Sequence, residues 1–259
     1  MEKPLLYYEV HGDKGPYLLL VHGILSSRAQ WLPNLEALKS FCRPVVIELF
    51  GHGRSPVPEN HECYTPDNYV LEFERIRLNL GAEKWFVCGQ SLGASLTMLY
   101  TVRHPESIIA QIFTNSRSAL SGPMPSGTAK LITKRIKEEG RKVIDNLPLH
   151  PAKSRYLPAK IKEALIDDIT LMTLEGFINT TIHTVGNSHV RELLPETKVP
   201  TLLIAGRFDK QFEPLIKVAE ELIPDLEFLV LDAGHAVNIG ESDRFNKAVK
   251  EFITRFTDI

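Results

Sequence analysis

The pentapeptide Gly89-Gln90-Ser91-Leu92-Gly93 constrains this chain more than any other stretch of its 259 residues. The apolar run before it, Lys84 to Cys88, has the character of a buried strand. The stretch after it, Leu92 to Arg103, carries Leu92, Leu96 and Leu99 on one helical stripe. A serine between strand and helix, with a glycine two residues away on either side, belongs to a turn too sharp for side chains at those positions. Such a turn lifts the Ser91 hydroxyl above the sheet edge. It also aims the first backbone N–H groups of the next helix at the same spot, where they can hold developing negative charge. The bland alternative is a tight strand-to-helix turn with an ordinary serine, and the rest of the chain decides between them.

Short apolar runs alternate with helical patterns along most of the chain, which argues for a mostly parallel sheet. Strands are expected at Leu5 to Val10, Tyr17 to Val21, Pro44 to Leu49, Lys84 to Cys88, Ile108 to Phe113, Pro200 to Ala205 and Leu226 to Leu231. Helices are expected at Pro33 to Phe41, Pro66 to Leu80, Leu92 to Arg103, Pro214 to Leu222 and Arg244 to Phe256. The alternation breaks between Ala119 and about Val199, where helical patterns such as Ile161, Leu165 and Ile169 occur without a convincing strand. Residues 1–118 and 200–259 therefore read as one α/β core, and 119–199 as a helical segment set into it.

A serine hydroxyl is a weak nucleophile and needs an adjacent base, which an acid must orient. Two strand ends downstream offer the partners: Gly206-Arg207-Phe208-Asp209, and Asp232-Ala233-Gly234-His235. Both lie on the sheet edge where α/β sites form. Asp209 is the candidate acid and His235 the candidate base. Asp209 could instead cap the helix that follows it. Asp232 competes for the acid role, but three residues from His235 on the same strand end it would have trouble reaching back to the imidazole. Two backbone donors are needed for an oxyanion, and the N–H groups of Leu92 and of Ile24, after His22-Gly23, are the candidates.

Five segments carry a resemblance to the α/β-hydrolase superfamily: His22-Gly23-Ile24, Phe50-Gly51-His52-Gly53-Arg54-Ser55, Gly89 to Gly93, Gly206 to Asp209, and Gly234-His235. The order serine, acid, histidine is that of the family. The resemblance implies an eight-stranded, mostly parallel sheet with helices on both faces and a helical cap (119–199) after the sixth strand. It also implies a hydrolase acting on a small-molecule ester or thioester through Ser91, His235 and Asp209. Capped serine members of the family also include carbon–carbon bond hydrolases, a menaquinone-pathway synthase that is a lyase, and some relatives that became receptors. Where the family usually carries an aspartate three residues ahead of Gly-His-Gly, this chain has Glu48. Arg117, just past a strand where relatives place pocket residues, could bind a substrate carboxylate or sit on the surface. Gln90 could touch substrate from the turn. Arg28 and Trp31 could line a pocket entrance or form the first turn of a helix and its packing. His52 reads as structural.

Composition adds exclusions. A net charge of -2 sets up no field for nucleic acid or an anionic membrane. Three cysteines, Cys42, Cys63 and Cys88, match neither a disulfide framework nor a zinc site. No basic, apolar leader opens the chain and no apolar run reaches the length of a membrane span, so the cytoplasm is the expected location. No phosphate loop, dinucleotide fingerprint or metal motif is present, so no cofactor and no metal are expected. The expected partner is a small-molecule substrate, and the expected assembly a monomer or homodimer.

Overall fold

The computed structural model describes residues 5–125, 127–154 and 156–257. Its single sheet contains β1 (Tyr8–Val10), β2 (Tyr17–Val21), β3 (Arg43–Ile47), β4 (Trp85–Gly89), β5 (Ile108–Thr114), β6 (Thr201–Gly206) and β7 (Glu227–Leu231). They lie in the order β1-β3-β2-β4-β5-β6-β7. β1 runs antiparallel to β3, and the other neighbouring pairs are parallel. The expected strand count is corrected: among the described residues there are seven strands rather than eight, and the helical segment follows the fifth, not the sixth. Each of the seven apolar runs supplies one strand. Beyond β1 the described chain offers only Leu5 to Tyr7, which form no strand.

The inner strands are apolar along their whole length because both faces are covered. Successive side chains point to opposite faces. Leu18, Leu20, Phe86, Cys88, Ile112 and Ile204 enter one core cluster, with Trp31, Phe245, Val249 and Phe252. Leu19, Val21, Val87, Phe113, Leu203 and Ala205 enter the other, with Tyr69, Phe73, Leu96 and Leu99. The first face is covered by α1 (Leu32–Leu38), the second by α2 (Pro66–Asn79) and α3 (Leu92–Arg103). The helix expected from Pro33 starts earlier, as a 3-10 turn at Arg28–Trp31. Ser27 initiates that turn by accepting the N–H of Ala29 at 3.0 Å.

Between β5 and β6 the described residues form no strand. They include α4 (Arg117–Leu120), α5 (Thr128–Glu139), α6 (Lys142–Asp145), α7 (Ala159–Thr170) and α8 (Leu174–Asn179), which runs on into a π turn at Thr180–Thr184. Ile136, Val143, Ile144, Ile169, Met172 and Phe177 make a small core of their own, shared with Leu25 from the loop after β2. A polar seam joins the same parts: Asp168 of α7 accepts from Ser27 Oγ at 2.7 Å and pairs with Arg54 Nη2 at 2.9 Å. After β6 the chain returns through α9 (Glu213–Leu222), β7, α10 (Val237–Gly240) and α11 (Ser242–Thr254), and α11 packs on α1.

Candidate active site

The turn from β4 to α3 has the geometry the pentapeptide implies. Ser91 sits at φ 54° and ψ -117°, a conformation L-residues rarely adopt and one that calls for surrounding support. That support is close packing. A Cβ at Gly93 would run into the Val21 carbonyl oxygen, and one at Gly89 would lie 2.5 Å from Ala94 Cα. Leu92 opens α3, so its N–H has no acceptor within the helix and is free for a ligand.

Three further strand-end loops converge on this turn. The loop after β2 passes directly against it, since a Cβ at Gly23 would lie 3.0 Å from Ser91 Cβ. The loop after β7 reaches it through the His235 carbonyl, which accepts from Gln90 Nε2 at 3.4 Å. The loop after β6 is tied to that of β7 by main-chain bonds, Arg207 N–H to Leu231 O at 2.9 Å and Phe208 N–H to Ala233 O at 3.0 Å. Within this cluster His235 Nδ1 and Asp209 Oδ2 are 2.7 Å apart, a half-exposed imidazole on a nearly buried carboxylate. Asn115, at the end of β5, donates from Nδ2 to the same oxygen at 2.9 Å. Burial alone would push the Asp209 carboxyl up. The hydrogen bond and charge of His235, with the Asn115 amide, outweigh it and hold the group below the usual aspartate range.

The loop after β2 is braced on two sides. His22 Nε2 accepts from the Leu49 N–H at 3.1 Å, so its proton is on Nδ1, which donates to the Gly23 carbonyl at 2.7 Å. Burial and the neighbouring His52 ring lower the His22 pKa to about 3, and burial lowers that of His52 to about 4. Both rings are therefore neutral braces at pH 7. Behind the loop, Gln30 Oε1 accepts from the Gly23 N–H at 3.4 Å. The Gln30 carbonyl accepts from Asn238 Nδ2 at 2.9 Å, and Asn34 Nδ2 donates to the Asn238 carbonyl at 2.8 Å. This buried amide chain joins the Ile24 loop to α10, three residues past His235.

Known proteins share this fold. A family model described as the alpha/beta hydrolase fold matches residues 16–136. The carboxylesterase nap of Bacillus subtilis (strain 168), itself uncharacterized, is 27% identical, with 95% of this chain and 82% of the relative covered. The enol-lactonase from Burkholderia xenovorans LB400 shares the fold at a TM-score of 0.82 and 22% identity, over 96% of each chain. MenH from S. aureus does so at a TM-score of 0.82 and 20% identity, over 96% of this chain and 98% of that one. The chain has the α/β-hydrolase fold. Relatives that it matches are named carboxylesterases and hydrolases.

The structure sorts the remaining candidates. Gln90 is buried beside the His235 loop. Arg117 is exposed and donates to Gln211 Oε1, two residues past Asp209. Arg28 turns away, to Glu9 at 3.3 Å, and Trp31 is fully buried against Phe245 beneath the sheet. Both therefore serve the first turn and its packing, not an entrance. Asp232 pairs at the surface with Arg207 Nε at 2.8 Å. Glu48 is buried, accepting from the Arg54 N–H at 2.6 Å and pairing with Arg54 Nη1 at 3.1 Å, a structural use of the longer acid. Among the described residues no group of three or more His, Cys, Asp or Glu is placed to hold a metal ion, and no helix is long and apolar enough to cross a membrane. Asn115, Gln30, Asn34 and Asn238 were not singled out by sequence reasoning. The only available signal was for Asn115, a polar residue directly at a strand end on the edge that gathers the site.

Proposed function

We propose that this protein is a hydrolase, a serine esterase in which Ser91 is the nucleophile, His235 the general base and Asp209 the acid that orients it. The observation that carries the reading is the 2.7 Å contact between His235 Nδ1 and Asp209 Oδ2, on the sheet edge where Ser91 is held at φ 54°. An Nδ1–H fixed on a carboxylate leaves Nε2 as the free acceptor, the tautomer a serine hydroxyl needs. Ser91 Oγ attacks the ester carbonyl as His235 Nε2 takes its proton. The Ile24 and Leu92 N–H groups receive the oxyanion. His235 then protonates the departing alcohol, and water activated by the same imidazole releases the acid.

Residues 119–199 are read as a cap over a core made of 1–118 and 200–259. The small apolar core that this segment shares with Leu25 supports that reading, because Leu25 follows the oxyanion loop directly. A lyase or carbon–carbon hydrolase reading calls on Arg117 to hold a carboxylate. Its guanidinium is engaged with Gln211, so ester hydrolysis is favoured, with thioesters as the neighbouring class. The test is turnover of p-nitrophenyl esters from acetate to a long acyl chain, with Ser91→Ala as control. Serine-dependent release of nitrophenol is expected. A folded wild-type protein inert across the series, or a Ser91→Ala variant that keeps its rate, would overturn the proposal.

A further inference from the structure

Asn115 directly follows β5 and is fully buried, ninety-four positions before Asp209 and far from any segment that resembles a motif. Its amide is locked in one orientation. The Gly206 N–H donates to Asn115 Oδ1 at 3.0 Å, while Asn115 Nδ2 donates to Asp209 Oδ2 at 2.9 Å. Turned over, the amide would set its NH2 against an N–H and its oxygen against a carboxylate, so only this orientation satisfies both ends. Gly206 closes β6 and Asp209 stands three residues beyond it, so one side chain holds both the root of the acid loop and its functional end. The oxygen that takes the Asn115 proton is also the one that meets His235 Nδ1 at 2.7 Å.

We propose that Asn115 is a positioning residue for the acid–base pair, fixing the Asp209 carboxylate in the orientation that His235 meets. The proposal rests on the serine-esterase reading. Held only by a half-exposed imidazole and the Phe212 N–H, the carboxylate would lack a buried side-chain donor fixing the oxygen that meets His235. Held by Asn115 as well, it is in place before the imidazolium forms. The benefit belongs to the transition state, where His235 carries charge, so it appears in kcat and not in KM.

The test uses the full chain, p-nitrophenyl butyrate and two variants. Asn115→Leu removes both hydrogen bonds without adding charge. Asn115→Asp keeps an oxygen for the Gly206 N–H and replaces the donor with a carboxyl group. Asn115→Leu should lose about 10- to 100-fold in kcat with KM nearly unchanged, the scale of one hydrogen bond to a charged group. Asn115→Asp should lose activity relative to wild type progressively as pH rises from 6 to 9. Protonated, the new carboxyl still donates to Asp209. Ionised, it repels Asp209 and is itself drawn toward the His235 charge. A loss that arises only from weakened folding would not follow pH in this way, and thermal melts of both variants check it. A folded Asn115→Asp with wild-type kcat at pH 9, or a deficit confined to KM, overturns the role of Asn115 alone. A Ser91→Ala control that keeps full activity overturns the esterase reading and this inference with it.

Discussion

At Asp209 one carboxylate oxygen collects donors from β5 and from the loop after β7, which makes its charge the hub of the site. Asp209→Asn keeps the shape but sets an NH2 or an uncharged oxygen against His235 Nδ1. The imidazole then loses both its tautomeric preference and its counter-charge, and kcat should fall by about 10³- to 10⁴-fold with binding little changed. Steady-state rates on one ester decide it, and a loss below tenfold would remove Asp209 from its assigned role. At this scale the strand-end turn of Ser91 and the pairing of Asp209 with His235 were legible as geometry, because a serine at a strand end restricts where its partners can stand. Asn115 was not, since an amide at the end of a strand has no chemistry until its partners, far along the chain, are folded against it. Trp31 and Arg28 were legible only as alternatives, because nothing in a turn sequence says which way it faces.

Among the elements, α3 is held to β2 at zero clearance. Gly93→Ala would drive a methyl group into the Val21 carbonyl oxygen, and backbone cannot step aside as a flexible side chain can. The expected cost is about 1–3 kcal/mol or more. Calorimetry should show a melting temperature several degrees lower, and an unchanged value would mean that the contact relaxes freely. The seam between α7 and the core is also testable. Asp168 is nearly buried, and its loss leaves Arg54 with Glu48 alone and the Ser27 hydroxyl without its acceptor. Asp168→Ala should destabilise by about 1–3 kcal/mol, less than for a fully buried pair because Arg54 is one-third exposed. Urea unfolding measures it. Strand and helix positions were readable from period-2 and helical spacing to within a few residues. The strand number was not, because it came from likeness to a family and not from a count of apolar runs.

The whole molecule inherits a pH dependence from two neutral imidazoles beneath the site. His22 and His52 have folded pKa values of about 3 and about 4, against about 6.5 for a free imidazole. Between these limits the unfolded chain binds more protons than the folded one, so stability is full above about pH 6.5 and declines as pH falls toward 4. The urea midpoint should be lower at pH 5 than at pH 7.5, and equal midpoints would contradict burial of the neutral rings. Finally, β5 and β6 are parallel neighbours with Gln111 beside Thr201, so the chain leaving one edge at Thr114 must travel back to the opposite edge before it can begin β6. A parallel return of this kind needs roughly a dozen residues at least. The helices between these strands are therefore also an obligatory bridge. A protein engineer could exchange them for another returning segment, but a direct splice from Thr114 to Thr201 would leave the sheet unable to close its own register.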